Sequence, residues 1–135
     1  MTFNHLPMVL KRGYHCHYQT TQRLNRPCLD AENGVVLASM RAGLRITTGA
    51  ELTRREAPQT LTQLERGRRA ASELLDLGNP AEAKVWHGHR PCLPGMLPKV
   101  GAVPNQRGLW LNTGHGHQGF TLGPTTGAVL ADIID

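Results

Sequence analysis

Six residues, Gly114-His115-Gly116-His117-Gln118-Gly119, match the spacing G-x-G-x-x-G, and 16 residues follow them. Leu109 to Thr113 before them reads as a buried-type strand, and Val129, Leu130, Ile133 and Ile134 after them read as a helix. A dinucleotide-binding βαβ unit needs more: a second parallel strand, and an acidic residue about 20 positions past the glycines. Sixteen residues that read as helix leave no room for either. The standard Rossmann reading therefore fails for this string. Two readings of the glycines stand. They let a ligand approach backbone N–H groups at a helix start, which favour partial negative charge. Equally, they serve a tight strand-to-helix turn that needs glycine for steric reasons alone.

The 135 residues suffice for one domain with a core, and are too few for a dinucleotide-binding domain plus a separate substrate domain. Hydrophobic residues at 39% and charged residues at 19% argue against wholesale disorder, while 15 Gly and 9 Pro indicate much loop. Collagen-like, coiled-coil and disulfide-scaffold classes lack their periodic signatures here. The net charge of +5 raises anionic partners. Much of it sits at Arg54, Arg55, Arg66, Arg68 and Arg69, which read as a solvated helix face with no interleaved aromatics. Nucleic acid is therefore not an expected partner. Cys16, Cys28 and Cys92 show no CxxC spacing, and no secretory signal precedes them, so the expected setting is cytoplasmic. The segment Gly108 to Ala131 has no charged residue, yet its six Gly and one Pro make a poor membrane-spanning helix.

The first thirty residues read as irregular, broken by Pro7, Gly13 and Pro27. Val35 to Ala38 and Leu44 to Thr48 read as strands joined in a hairpin through Met40-Arg41-Ala42-Gly43. Leu61, Leu64, Ala71, Leu74 and Leu75 lie at helical spacing between Gln59 and Leu75, with Thr60 or Thr62 as the cap and Gly67 weakening the middle. Val85 to Arg90 reads as a strand ended by Pro91. The passage through Pro91, Pro94, Pro98 and Pro104 reads as extended chain without regular structure.

In a strand, Trp86, Gly88 and Arg90 share one face. Gly88 would leave empty space beside Arg90, and a guanidinium beside a vacancy suits bidentate capture of a carboxylate. An ordinary surface salt bridge is the alternative. The pairs His15/His17, His87/His89 and His115/His117 could each present two imidazoles on one strand face. A metal site needs a third, converging ligand, and none is assigned. Cys92 near His89 is a weaker candidate nucleophile.

Several strings in order resemble a known family: Gly13-Tyr14-His15, Met40 to Thr48 with Glu51, Trp86 to Pro91, Leu97 to Gly101, and Gly114 to Thr126. They are similar to the C-terminal part of flavin-dependent amino-acid oxidoreductases. The nearest branch is the D-amino-acid dehydrogenases, related to D-amino-acid oxidase and glycine oxidase.

The resemblance implies an α+β chain in two pieces. Residues 1–90 would be a remnant of the substrate-binding domain, a partial antiparallel sheet with a covering helix. Residues 91–135 would be the final strand and helix of an α/β FAD-binding domain. FAD is the implied cofactor, held by Gly114, His115, Gly116, His117, Gln118, Gly119, Phe120 and Thr121. Arg90 and His117 are the implied contacts to an amino-acid substrate, and no catalytic residue is assigned. The implied reaction is oxidative deamination of a D-amino acid to a 2-oxo acid by hydride transfer to the flavin. The family's own N-terminal FAD fingerprint has no counterpart here, so an incomplete chain, complemented by a missing N-terminal half or another chain, is expected. Peripheral association of the intact enzyme with the inner face of the membrane is a further implication. Gly95 stands where the family usually has an acidic residue, Gly123 where it often has Ala, and the oxidase branch's substrate-facing Tyr near Val35 is absent. The alternative function is a small non-enzymatic metal- or ligand-binding module using the His-x-His pairs.

Overall fold

Ten residues from Val9 to Tyr18 form one continuous strand, β1, in which Arg12, Tyr14, Cys16 and Tyr18 alternate into the interior. The sequence reading of this region as irregular is thus corrected. Gly13 lies inside the strand because an extended backbone tolerates glycine, and the buried arginine at position 12 disguises the apolar alternation. The coordinates are a computed structural model that describes residues 6–134.

The chain divides into two units, one of residues 12–88 and one joining the segment up to Lys11 to the segment from His89 onward. The elements are α+β throughout, as the sequence indicated. After β1 come β2 (Cys28–Asp30), β3 (Val35–Met40), β4 (Gly43–Thr48) and β5 (Glu51–Leu52), then α1 (Thr62–Leu74). β6 (Trp86–Cys92), β7 (Lys99–Ala102), β8 (Trp110–Thr113) and α2 (Gly119–Ile134) follow.

In residues 12–88 the sheet order is β2-β3-β4-β1-β5, with β6 also pairing to β1. The β3–β4 hairpin is antiparallel with Met40 opposite Gly43, so its loop is the two residues Arg41-Ala42, as the turn chemistry indicated. β4 then pairs with β1, Cys16 opposite Ile46 and Tyr18 opposite Leu44. Helix α1 covers this sheet through Leu64, Gly67 and Ala71, at intervals of three and four residues. They close a core with Cys16, Tyr18, Val35, Leu37 and Ile46. Leu74 is 65% exposed, and no side chain caps the helix at Leu61, so Thr60 and Thr62 do not cap it. Gly67 has a packing reason: a methyl there would lie 2.6 Å from Val35 Cγ1.

Arg12 is 1% exposed and tied down on every side. Its Nε donates to Glu51 Oε1 at 2.6 Å, and its two terminal nitrogens donate to the carbonyls of Ala57 and Pro58. The Tyr14 hydroxyl donates to the same Glu51 oxygen at 2.6 Å and accepts from the Thr60 N–H. Burial first, and the Glu51 carboxylate second, push the Tyr14 pKa up. A buried charge needs such full pairing to be tolerated.

In the other unit, β7 and β8 form a two-stranded antiparallel sheet with Val100 opposite Asn112. The proline-rich passage is therefore more regular than its composition indicated. It holds a 3-10 turn at Pro94–Met96 and strand β7, and β6 continues through Pro91 to Cys92. β8 is half-buried, not a fully buried strand. No residue of α2 is buried, and Phe120, Val129, Ile133 and Ile134 are exposed. Among the described residues no helix is long and apolar enough to cross a membrane.

Candidate functional site

The glycine string folds as a turn leading directly into α2. His115 is already helical in backbone, Gly116–Gln118 form a 3-10 turn, and Gly119 continues as the first residue of α2. Gly114 and Gly116 have φ of +82° and +58°, a region that L side chains rarely adopt. A methyl on Gly114 would lie 2.5 Å from Leu93 Cδ1, and one on Gly116 would lie 3.1 Å from Cys92 Sγ and from Met96 Cε. The chain's own packing therefore accounts for these two glycines. A methyl on Gly123 meets nothing within 4 Å.

What the turn leaves available is the helix start. No side chain caps it, and no acidic residue stands in the first turn of the 3-10 segment or of α2. Uncapped N–H groups at the head of a 16-residue helix favour a negative ligand edge. His115 does not reach outward. Its Nε2 lies 2.9 Å from Thr126 Oγ1, whose hydroxyl donates to the carbonyls of Leu122 and Gly123. That hydroxyl has one proton, so the imidazole must donate to it, which places the His115 proton on Nε2. The ring braces the turn against the second turn of α2. His117, Gln118, Phe120 and Thr121 are exposed, with Phe120 at 96%. The Thr121 hydroxyl donates to the Gln118 carbonyl.

Arg90 is half-buried on β6, and among the described residues no hydrogen bond or ion pair engages its guanidinium. The salt-bridge alternative thus has no partner there. Two residues further on, Cys92 pairs in an antiparallel bridge with His115. That bridge seats the glycine turn about 7 Å along the strand from Arg90. Residues 23 positions apart in sequence are brought together by it, and no local pattern announces such a pairing. The predicted vacancy at Gly88 is a correction: the Trp86 indole occupies it, so a methyl on Gly88 would lie 2.5 Å from Trp86 Cη2. Trp86 is held there by stacking on His15, with centroids 4.5 Å apart.

His17 accepts at Nε2 from Arg45 Nε (3.0 Å), which places its proton on Nδ1, 2.5 Å from Glu82 Oε1. Among the described residues no group of three or more His, Cys, Asp or Glu could hold a metal ion. Cys92 is buried, its thiol donating weakly to the Arg90 carbonyl.

A half-buried Arg90 on β6, the glycine turn and a helix start with no capping side chain lie in one unit of the chain. Residues 1–133 match the family model described as FAD dependent oxidoreductase (DAO), and the chain belongs to that family. It is 37% identical over 143 residues to a D-amino acid dehydrogenase of Cereibacter sphaeroides, covering 96% of this chain and 30% of that protein. It is also 43% identical over 68 residues to a glycine oxidase of Pseudomonas aeruginosa, covering 50% of this chain and 19% of that one. In fold it resembles the crystal structure of glycine oxidase from Geobacillus kaustophilus, with a TM-score of 0.78 at 20% identity, covering 96% of this chain and 36% of that chain. The chain thus spans about a third of the length of the relatives it matches. The family is FAD dependent.

Proposed function

We propose that this chain supplies the substrate-carboxylate site and the flavin-edge helix of an enzyme that oxidatively deaminates a D-amino acid. The Cys92–His115 bridge supports the reading, because Arg90, whose guanidinium has no partner among the described residues, lies two residues from it on β6. Arg90 would hold the substrate carboxylate through two parallel N–H donors, fixing the orientation of the Cα–H bond. His117, exposed on the same turn, would stand on the substrate side. The backbone N–H groups at Gly116 to Thr121 would face the negative edge of the cofactor without reorganising. FAD, when bound, supplies the hydride acceptor. The remaining length of its relatives would supply the other cofactor contacts.

A chimera tests this. This chain would replace the corresponding C-terminal part of the Cereibacter sphaeroides D-amino acid dehydrogenase, and be assayed with D-alanine and with glycine. D-Alanine turnover is expected, with Arg90→Leu raising KM about a hundredfold, the scale of one lost charge-assisted pair. A flavin-loaded chimera that oxidises no D-amino acid, or an Arg90→Leu variant with unchanged KM, would overturn it. Preference for glycine would move the assignment to the glycine-oxidase branch.

A further inference from the structure

A second concentration of positive charge lies in residues 12–88, at the turn end of the β3–β4 hairpin. Gly43 has φ of +126°, and a methyl there would lie 2.5 Å from the Tyr18 carbonyl oxygen. The end of β1 therefore runs hard against the hairpin, and the chain that leaves it is laid alongside. Two bonds fasten that chain: the Leu24 N–H donates to Ser39 Oγ (2.8 Å), and the Asp76 N–H donates to Gln22 Oε1 (2.7 Å). Between them opens a cavity of about 650 Å³ whose walls include Thr20, Thr21, Arg23, Ser39 and Arg41. A neighbouring cavity of about 380 Å³ shares Arg23 and Ser39 and adds Arg26.

No Asp or Glu lines either cavity. Asp76 borders the next cavity along, with Thr20 and Thr21, and limits the basic region on that side. Among the described residues no hydrogen bond or ion pair engages the guanidinium of Arg23, Arg26 or Arg41. Three other arginines of this unit are committed, Arg12 to Glu51, Arg45 to His17 and Arg66 to the Asn33 carbonyl, while Arg68 and Arg69 lie on the exposed face of α1. Three exposed, uncommitted guanidinium groups beside the hydroxyls of Thr20, Thr21 and Ser39, with no carboxylate lining the same cavities, favour an anion. Planar forks combined with hydroxyl donors match the oxygens of a phosphate.

We infer that the cavity between Arg23 and Arg41, flanked by Arg26, binds a phosphate group, carried by a free phosphorylated ligand or by a phospholipid headgroup. The site is separate from Arg90 and the glycine turn, and stands whether or not the proposed reaction does.

The test uses the full chain. Pyrophosphate is titrated calorimetrically, and flotation is measured with phosphatidylcholine vesicles with and without phosphatidylglycerol. Saturable binding of pyrophosphate, or of the phosphatidylglycerol vesicles alone, is expected. The double variant Arg23→Gln/Arg41→Gln weakens it about tenfold or more, the scale of one lost bidentate contact. The double variant Arg68→Gln/Arg69→Gln, which removes the same charge from the exposed face of α1, leaves it unchanged. Pyrophosphate binding alone identifies a free ligand, and vesicle binding alone identifies a headgroup. Binding of neither, or equal weakening by the two double variants, overturns the inference.

Discussion

The Trp86 indole lies over Gly88 and stacks on the His15 imidazole, with 21° between the ring planes. His15 is held below its ordinary pKa, first by burial, then by Arg45 and His17, with Glu82 opposing. The sign of the pH effect follows. Above the unfolded value of 6.5 both states are neutral at this residue, and it contributes nothing. As pH falls through 6.5 the unfolded chain takes up a proton first, so stability declines until the folded state protonates too. Urea midpoints taken across that interval should fall more steeply for the native chain than for His15→Asn. Equal slopes would show that His15 is not the group responsible.

Gly88→Ala should lift the indole off His15. Its methyl meets the far edge of the ring, so the side chain swings away and the cost stays at about 1 kcal/mol. Trp86 is 55% exposed already, so its emission should shift to the red and its near-UV ellipticity should fall. The His15 titration should return toward 6.5, readable from its imidazole proton resonances. An unchanged His15 titration would mean that the indole does not shape its environment.

Arg12→Ala should destabilise residues 12–88 by about 3–5 kcal/mol, because Glu51 loses its cationic partner and the carbonyls of Ala57 and Pro58 lose the donors that Arg12 supplies. Pairing it with Glu51→Gln removes the orphaned charge and should restore part of the loss. A double-mutant cycle in chemical denaturation measures the coupling. Additive losses would contradict the network.

Gly67→Ala meets two opposing effects. Alanine favours a helix interior by about 1 kcal/mol, yet its methyl would press on Val35 Cγ1 and lie 3.3 Å from Ile46 Cγ2. Both neighbours belong to the core, so overpacking should win by about 1–2 kcal/mol. Val35→Ala in the same chain opens the space, and the pair should lose less than the sum of the single changes. A stabilised Gly67→Ala variant would show that α1 can lift from the sheet without cost.

Gly114→Ala should cost about 1–3 kcal/mol in thermal or chemical melts, from a left-handed φ together with contact on Leu93. Leu93→Ala relieves only the contact, so the double variant should regain part of the loss and no more. Full recovery would mean that the backbone angle at Gly114 is not the constraint.

The local chemistry of the sequence determined the elements that need only local rules. Met40 to Gly43 marked the hairpin, Leu64 and Ala71 the buried face of α1, and Gly114 to Gly119 the turn into α2. The ordered motifs carried the family resemblance, which the match of residues 1–133 to the family model bears out. β1 was hidden, since its alternation includes Arg12, acceptable inside only because Glu51, 39 residues away, arrives to pair with it. Gly88 looked like a vacancy until the Trp86 ring filled it, a rotamer that packing against His15 decides. The Cys92–His115 bridge and the cavity that Arg23 and Arg41 both line likewise belong to the tertiary structure. Backbone propensity acts over a few residues, whereas pairing and burial act between segments that only the folded chain brings together.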